Sequence, residues 1–296
     1  MRSVYGLLSV IVLLVLTWYL FVRDFEFKVT FVAKTLPGDI IETIRIWNRA
    51  QSNSEILEVD SVFSLKQILV KSNRTYIYNW RFNMLNDTTT NVMIQITEPA
   101  NVLSNKLLVP FSTQSIELDA RSVSAEFYNI LREHLKITKV KIEGEFNLPA
   151  MFCACTTIET SQIDKANGMM KNFEWITSFI GQFKLAAEGP PLVKLISWNN
   201  KIGELKYDFC FPVIKRDSLP KVEQITYKEI GPLKALKATY HGNYITSDRG
   251  WYYLIHYAKT NGYKFNGLPI EFFFNNPNLG SNEKEWRADI YLPIEN

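Results

Sequence analysis

The chain has 296 residues, of which 47% are hydrophobic, 21% are charged and 14% are aromatic, and its formal net charge is +3. This composition excludes a mainly disordered, collagen-like or disulfide-scaffold protein, and the length allows two domains of ordinary size. A small net charge without clustered cations does not indicate a nucleic-acid partner, because binding to phosphates needs a basic patch.

Cysteine and histidine are too few and too irregularly spaced to indicate a metal site. The cysteines are Cys153, Cys155 and Cys210, and the histidines are His134, His241 and His256. No two cysteines have the CxxC spacing of zinc or redox sites, so we interpret all three as small, buried and chemically inert residues. The sequence therefore predicts neither a metal nor another cofactor.

An apolar segment at the amino terminus has the length of a membrane span. Residues 4–22 carry no charge, and as a helix they would extend roughly 28 Å, close to the thickness of the hydrocarbon layer. Trp18, Tyr19 and Phe21 gather at the end of the segment, where aromatic rings suit the headgroup level. A cleaved secretory signal is the alternative, although no small-x-small cleavage site follows. We expect residues 1–24 to be a retained single-pass anchor in a bacterial inner membrane. Arg2 on one side of the span nearly balances Arg23 and Lys28 on the other, so the sequence leaves both orientations open, with a slight preference for the soluble part on the extracytoplasmic side.

Residues 25–146 have the pattern of one mixed α+β domain. The alternating stretch at residues 27–31 predicts a strand, and Leu36-Pro37-Gly38-Asp39 leads into a helical pattern. Antiparallel strands follow, and a long helix closes the domain. The predicted strands are 62–70, 75–85 and 91–97, and the predicted long helix is 119–135.

This order of elements, together with the opening sequence KVTFVAKTLPGDII at residues 28–41, resembles the START-like or SRPBCC helix-grip family. The resemblance implies a curved sheet that wraps a long helix around an apolar cavity. Five side chains alternate along one predicted strand and so share one face. They are Tyr76, Tyr78, Trp80, Phe82 and Met84. We interpret this face as an aromatic core, with the lining of a cavity for a lipid-like ligand as the alternative.

The rest of the chain contains an internal repeat with a period of about 80 residues. Gly189-Pro190-Pro191 aligns with Gly267-Leu268-Pro269, and the sequence DFCFPV at 208–213 aligns with DIYLPI at 289–294. Each copy predicts a strand, an amphipathic helix and two further strands. The predicted helices are 164–183 and 247–260. Two such β-α-β-β units would pair about a pseudo-twofold axis, and the groove between them is the natural ligand site.

Three motifs in the second copy have a recognisable order and spacing. They are ATYHGNY at 238–244, PIEFFFNNP at 269–277 and EWRADIYLPI at 285–294. Together they resemble the GyrI-like family, or bacterial transcription-activator effector-binding domain, and the resemblance covers residues 147–296. It implies a duplicated domain whose central cleft is lined by aromatic rings and holds one acidic residue. Some members are fused to DNA-binding domains and sense drugs, and some free-standing members hydrolyse small reactive molecules. No helix-turn-helix precedes this domain, so we expect no nucleic-acid partner.

The acidic residue that the resemblance implies is Glu271. Strand alternation places Glu271 and Phe273 on one face and Ile270 and Phe272 on the other. A solvated acid on a strand is the alternative for Glu271 when the residues are considered without the resemblance. The second copy supplies the further candidate ligand-binding residues Trp251, Tyr252, Tyr240, Tyr244 and Phe273, and the first supplies Trp198 and Tyr207. For each aromatic residue alone, core packing is the alternative role.

These residues predict a membrane-anchored binding protein whose cleft captures small apolar or cationic organic molecules through a carboxylate and aromatic walls. The alternative is a hydrolase of reactive, cyclopropanoid-type small molecules, in which Glu271 acts as general acid or base. A structural envelope protein that binds other proteins is the third hypothesis. No nucleophile triad or phosphate-binding loop in the sequence competes with these hypotheses.

Overall fold

The computed structural model, which describes residues 2–277, 280 and 282–295, contains two antiparallel sheets in two separate units. The units are Met1–Arg132 and Glu133–Asn296. This arrangement confirms the predicted α+β class. The second unit begins before the predicted boundary at 146/147, because the strand Lys139–Leu148 pairs within the second sheet.

The amino-terminal helix is apolar and exposed. Helix α1 spans Arg2–Thr17, and a π-helical segment, Trp18–Val22, continues it. Among the described residues, the stretch Val4–Val22 is the one helix long and apolar enough to cross a membrane, and none of its most apolar window is buried. A signal sequence has the same length and composition, so the anchoring role stays a prediction.

The first unit follows the predicted order of strand, helix, antiparallel strands and long helix. Its strands are β1 (Phe27–Ala33), β2 (Ser54–Ser61), β3 (Ser64–Lys71), β4 (Arg74–Asn86) and β5 (Thr89–Thr97). Its helices after α1 are α2 (Pro37–Ala50), α3 (Val102–Leu108) and α4 (Ser115–Ile137), of which residues 115–132 belong to this unit. The strands lie in the order β1-β5-β4-β3-β2, so the first strand closes the sheet beside the last. Membership of the helix-grip family stays a prediction.

The alternating aromatic residues of β4 form the core of this unit. Tyr76, Tyr78, Trp80 and Phe82 are all buried, whereas Met84 is half-buried. The ring of Phe127 on α4 lies 5.0 Å from that of Trp80 and 5.5 Å from that of Trp47 on α2, measured between centroids. The shared face that alternation predicts is therefore packed against two helices.

The second unit is built from two β-α-β-β repeats. Its strands are β6 (Lys139–Leu148), β7 (Met151–Ser161), β8 (Leu192–Asn199), β9 (Glu204–Pro212), β10 (Thr226–Ile230), β11 (Leu233–His241), β12 (Ile270–Phe273) and β13 (Arg287–Pro293), and its helices are α5 (Lys165–Gln182) and α6 (Arg249–Thr260). The sheet order β10-β7-β9-β8-β12-β13-β11-β6 is symmetric about the central pair β8 and β12. The pseudo-twofold axis thus passes between these two strands, where Val193 lies opposite Glu271.

Each repeat is preceded by a strand that pairs with the other repeat. Strand β6 precedes β7 but pairs with β11, and β10 precedes β11 but pairs with β7. The links after β6 and β10 pass close to each other, since a Cβ atom added to Gly231 would lie 2.8 Å from the carbonyl oxygen of Pro149. Gly231 also has a φ of +81°, which other residues rarely adopt. These exchanged strands join the two repeats into one sheet.

The prediction that all three cysteines are buried is confirmed, but a disulfide between two of them was not predicted. Cys155 on β7 and Cys210 on β9 are directly opposite in the sheet and form a disulfide. Cys153 is the free thiol among the described cysteines and is buried, as expected. The pairing was missed because it depends on the register between two strands that are 55 residues apart in the chain, which cysteine spacing does not reveal.

Candidate functional site

Glu271 lies at the centre of the duplicated sheet. It sits in β12, and its side chain shares a face with Phe273, whose ring belongs to the core under α5 and α6. Ile270 and Phe272 face the opposite side, in a second apolar cluster. The symmetry-related position in the first repeat is Val193, so the pseudo-twofold arrangement carries a single carboxylate at its centre.

The carboxylate of Glu271 is paired with an internal cation. The Nζ atom of Lys165, the first residue of α5, lies 2.6 Å from Oε2 of Glu271, and both side chains are fully buried. Nζ also donates to Oγ of Ser247 at 2.8 Å and lies 4.8 Å from the centroid of the Trp251 ring. The first repeat therefore supplies the cation and the second supplies the anion and the aromatic ring.

The remaining hydrogen-bonding capacity of Glu271 is also used. Nε1 of Trp251 donates to Oε1, and Oγ of Ser247 lies 3.2 Å from Oε2. Burial raises the pKa of the Glu271 carboxyl, and the Lys165 ammonium and the Trp251 indole N–H oppose this rise because they favour the ionised form. A fully buried carboxylate with donors on both oxygens is stabilised without any external ligand.

Three of the predicted aromatic residues converge beside the Lys165–Glu271 pair. The ring of Trp198 lies 5.2 Å from that of Trp251 and 5.5 Å from that of Tyr252, in edge-to-face geometry. Nε1 of Trp198 donates to Gln162, whose amide nitrogen donates to Asp248. This network joins the starts of the two helices. Trp198 also lines an open depression at the ends of β7, β8 and β9.

Two other predicted residues hold the backbone at the helix starts. Tyr207 is buried and donates its hydroxyl to the carbonyl oxygen of Lys165 at 2.8 Å. Tyr240 is buried and donates to the carbonyl oxygen of Asn243 at 2.7 Å. Burial raises the pKa of both phenols above its ordinary value, so both remain protonated donors. Their contacts are those of structural residues in the two related halves.

A cavity of about 300 Å³ opens on one side of the Lys165–Glu271 pair. It lies between α5, the segment 243–245 and the segment 275–277. Its lining residues are Ala166, Met169, Met170, Phe173, Pro191, Phe209, Asn243, Tyr244, Ile245, Phe273, Asn275, Asn276, Pro277 and Trp286. Of the predicted site residues, Tyr244 and Phe273 line it. No charged side chain occurs among these described lining residues.

Phe273 connects the cavity with the ion pair. Its ring lines the cavity and lies 5.9 Å from Nζ of Lys165. The ring of Tyr244 packs edge-to-face on Phe273 at 4.8 Å and lies 5.3 Å from that of Trp286. Burial raises the pKa of the Tyr244 hydroxyl to about 12. The cavity therefore has an aromatic wall, and the charged groups of Lys165 and Glu271 lie behind this wall.

Lys165 and most of the residues that line the cavity were not among the predicted site residues. The signal for Lys165 was the repeat itself, because Asp164-Lys165 and Asp248-Arg249 occupy matching positions at the starts of α5 and α6. Both cations are buried, which is unusual for such residues. Within the described residues there is no group of three or more His, Cys, Asp or Glu side chains that could hold a metal ion.

Comparison with known proteins identifies the second unit. Residues 149–295 match the GyrI-like family, described as a GyrI-like small molecule binding domain. No curated protein matches the chain. Among solved structures, the EcmrR C-terminal domain is 16% identical with a TM-score of 0.44, and the match covers 53% of this chain and 98% of that chain.

Two further solved structures are similar to part of the chain. SAV2435 bound to tetraphenylphosphonium is 10% identical with a TM-score of 0.38, and the match covers 52% of this chain and 94% of that chain. A hydrolase from Listeria innocua is 11% identical with a TM-score of 0.35, with coverages of 55% and 98%. EcmrR is also known in a complex with DNA. The absence of a nucleic-acid partner for this chain stays a prediction.

Proposed function

We propose that the second unit binds a small, neutral and mostly apolar organic molecule in the cavity beside α5. The premise is that the chain belongs to the GyrI-like family through residues 149–295. The observation that carries the proposal is the absence of charged groups from the described lining, together with the internal cation on Glu271. Size supports it as well, since about 300 Å³ is at the lower end of the range for ligand pockets.

The ion pair favours neutral ligands over cations. The sequence predicts that Glu271 attracts an organic cation, but the Lys165 ammonium already occupies the position at 2.6 Å from its carboxylate and over the Trp251 ring. A ligand cation would have to displace this ammonium and leave it buried without a partner, which is costly. An apolar ligand needs only the aromatic rings and methionines of the cavity wall.

The hydrolase alternative receives less support from the geometry. A general acid or base must lie within hydrogen-bonding reach of the water or substrate atom that it serves. Glu271 is fully buried, and its oxygens accept from Lys165, Ser247 and Trp251. A hydrolase would need water or substrate at a carboxylate that is fully buried and already has protein donors.

We further propose that the unit is tethered to a membrane and lies in an oxidising compartment. The exposed apolar helix Val4–Val22 supports the tether. The Cys155–Cys210 disulfide supports the extracytoplasmic side, because such bonds persist mainly outside the reducing cytosol. Protease protection of the second unit in sealed vesicles or spheroplasts tests this orientation.

Ligand charge can be tested with two probes of the same shape. We expect 1-methylnaphthalene, which is neutral, to bind at least about tenfold more tightly than the cation 1-methylquinolinium, a difference of about 1.4 kcal/mol. Isothermal titration calorimetry with the full chain in detergent measures both affinities. Tighter binding of the cation would contradict the proposal and restore Glu271 as the ligand's partner.

A matched pair of variants tests the location of the site. Ile245 lines the cavity and is 46% exposed, whereas Ile196 lies outside it and is 42% exposed. We expect Ile245→Glu to weaken binding of 1-methylnaphthalene on the order of tenfold, because it places a carboxylate at the apolar wall. Ile196→Glu should leave the affinity unchanged. Equal effects of the two changes would show that the probe binds elsewhere.

A further inference from the structure

Helix α3 in the first unit has its polar and apolar sides reversed. Asn105 and Lys106 are buried, whereas Leu103 and Leu107 are each 55% exposed. The exposed side continues through Leu108 and Phe111, and the Phe111 side chain is 87% exposed. A surface helix of a water-soluble domain normally turns its charged residues outward and its leucines inward. We call the set Leu103, Leu107, Leu108 and Phe111 the α3 apolar face.

Specific hydrogen bonds hold α3 in this orientation. The side-chain amide of Asn105 donates to Glu98 at 2.8 Å. Lys106 donates its ammonium protons to the carbonyl oxygens of Leu20, at 2.9 Å, and of Arg23. Because Asn105 and Lys106 are fixed inward, the leucines of α3 point outward.

The same bonds place the α3 apolar face at the end of the amino-terminal span. Leu20 belongs to the last turn of the apolar stretch Val4–Val22, and the hydroxyl of Tyr19 donates to the carbonyl oxygen of Lys106 at 3.0 Å. Lys106 thus satisfies carbonyl groups at the carboxyl end of the helix, where cations are favourable. If the span crosses a bilayer, α3 lies at the level where it leaves the hydrocarbon.

We propose that the α3 apolar face is a second membrane contact, which inserts into the boundary between headgroups and acyl chains beside the point where the span emerges. The inference rests on the proposed membrane tether. Apolar faces of interfacial helices reach this boundary, and aromatic residues such as Trp18 and Phe21, both exposed, concentrate there. The continuity of the α3 apolar face with the span favours lipid over a second copy of the chain as its partner.

The test measures lipid contact at single positions in the full chain. Nitroxide labels are attached to Leu107→Cys and Phe111→Cys in a Cys153→Ala background, and the protein is reconstituted into phosphatidylcholine vesicles. Collisions with oxygen, which enters lipid, and with a water-soluble nickel chelate report the depth of each label. Leu13→Cys in the span is the lipid reference, and Leu85→Cys, at a 59% exposed leucine of the same unit, is the water reference.

We expect the ratio of oxygen to nickel collisions at positions 107 and 111 to be several-fold higher than at position 85 and lower than at position 13. A ratio equal to that at position 85 would overturn the inference while the span, reported by position 13, still stands. Shielding of positions 107 and 111 from both reagents would indicate a protein partner and would also overturn it. If position 13 is in water, the tether and the inference fail together, whereas ligand binding by the second unit is unaffected.

Discussion

Replacing Lys165 by methionine is expected to lower the free energy of unfolding of the second unit by about 3–5 kcal/mol at neutral pH. The change keeps an apolar side chain of similar length but leaves the fully buried Glu271 carboxylate without its cation. Trp251 and Ser247 still donate to that carboxylate, yet two neutral donors do not replace an ammonium group in a buried environment. Urea unfolding of the full chain in detergent, followed by circular dichroism, measures the difference.

The loss of stability in Lys165→Met should become smaller as the pH falls. Burial raises the pKa of the Glu271 carboxyl above the ordinary value of 4.5, and in the variant no ammonium opposes the rise. A carboxyl whose folded pKa exceeds its unfolded pKa contributes stability below the unfolded value, and this contribution is lost as the pH rises through the folded value. The difference between Lys165→Met and the parent chain should therefore shrink as the pH falls towards 4.5.

Two controls separate the buried pair from a general effect of losing a lysine. The double variant Lys165→Met with Glu271→Gln should recover most of the loss, because it removes the buried charge and keeps an oxygen that accepts from Trp251. Lys206→Met removes the cation of an exposed pair with Glu159 and should cost less than about 1 kcal/mol. If Lys165→Met costs no more than Lys206→Met, the Lys165–Glu271 pair is not buried in solution.

Loss of the Cys155–Cys210 disulfide has the second large expected effect. The bond closes a loop of 55 residues, and the restriction that it places on the unfolded chain corresponds to about 4 kcal/mol in the chain-entropy model. We expect the double variant Cys155→Ser with Cys210→Ser to lose stability of this order in urea unfolding. The parent chain should show the same loss after reduction with dithiothreitol.

The free cysteine provides the control for this prediction. Cys153→Ala removes a buried thiol that makes no disulfide, so its unfolding should keep the full sensitivity to dithiothreitol. A parent chain whose unfolding midpoint is the same with and without reductant would contradict the disulfide, and with it the support for an oxidising compartment.

Local patterns in the sequence predicted much of the fold. Alternation along β4 predicted which side chains share its buried face, and alternation in β12 separated Glu271 and Phe273 from Ile270 and Phe272. The two aligned segments, 208–213 and 289–294, predicted a duplicated β-α-β-β unit, which the symmetric sheet order confirms. These features could be predicted because strand alternation and internal repeats can be recognised in the sequence alone.

Contacts between segments that are far apart in the sequence could not be predicted in this way. The exchange of β6 and β10 between the repeats moved the start of the second unit ahead of the predicted boundary. The cysteine pairing required the register of β7 against β9. In both cases the deciding contact lies between strands that the sequence separates, and nothing local specifies it.

The sequence by itself therefore determined the class of fold, the apolar amino-terminal helix, the repeat and the single acid near its centre. Only the tertiary structure showed which group pairs with that acid. Lys165 and Glu271 are 106 residues apart, and they meet because α5 of one repeat begins over the central strand of the other. The net charge of a site depends on all the groups that folding brings together. The sequence predicted that the Glu271 carboxylate binds a ligand, but in the folded chain Lys165 neutralises it.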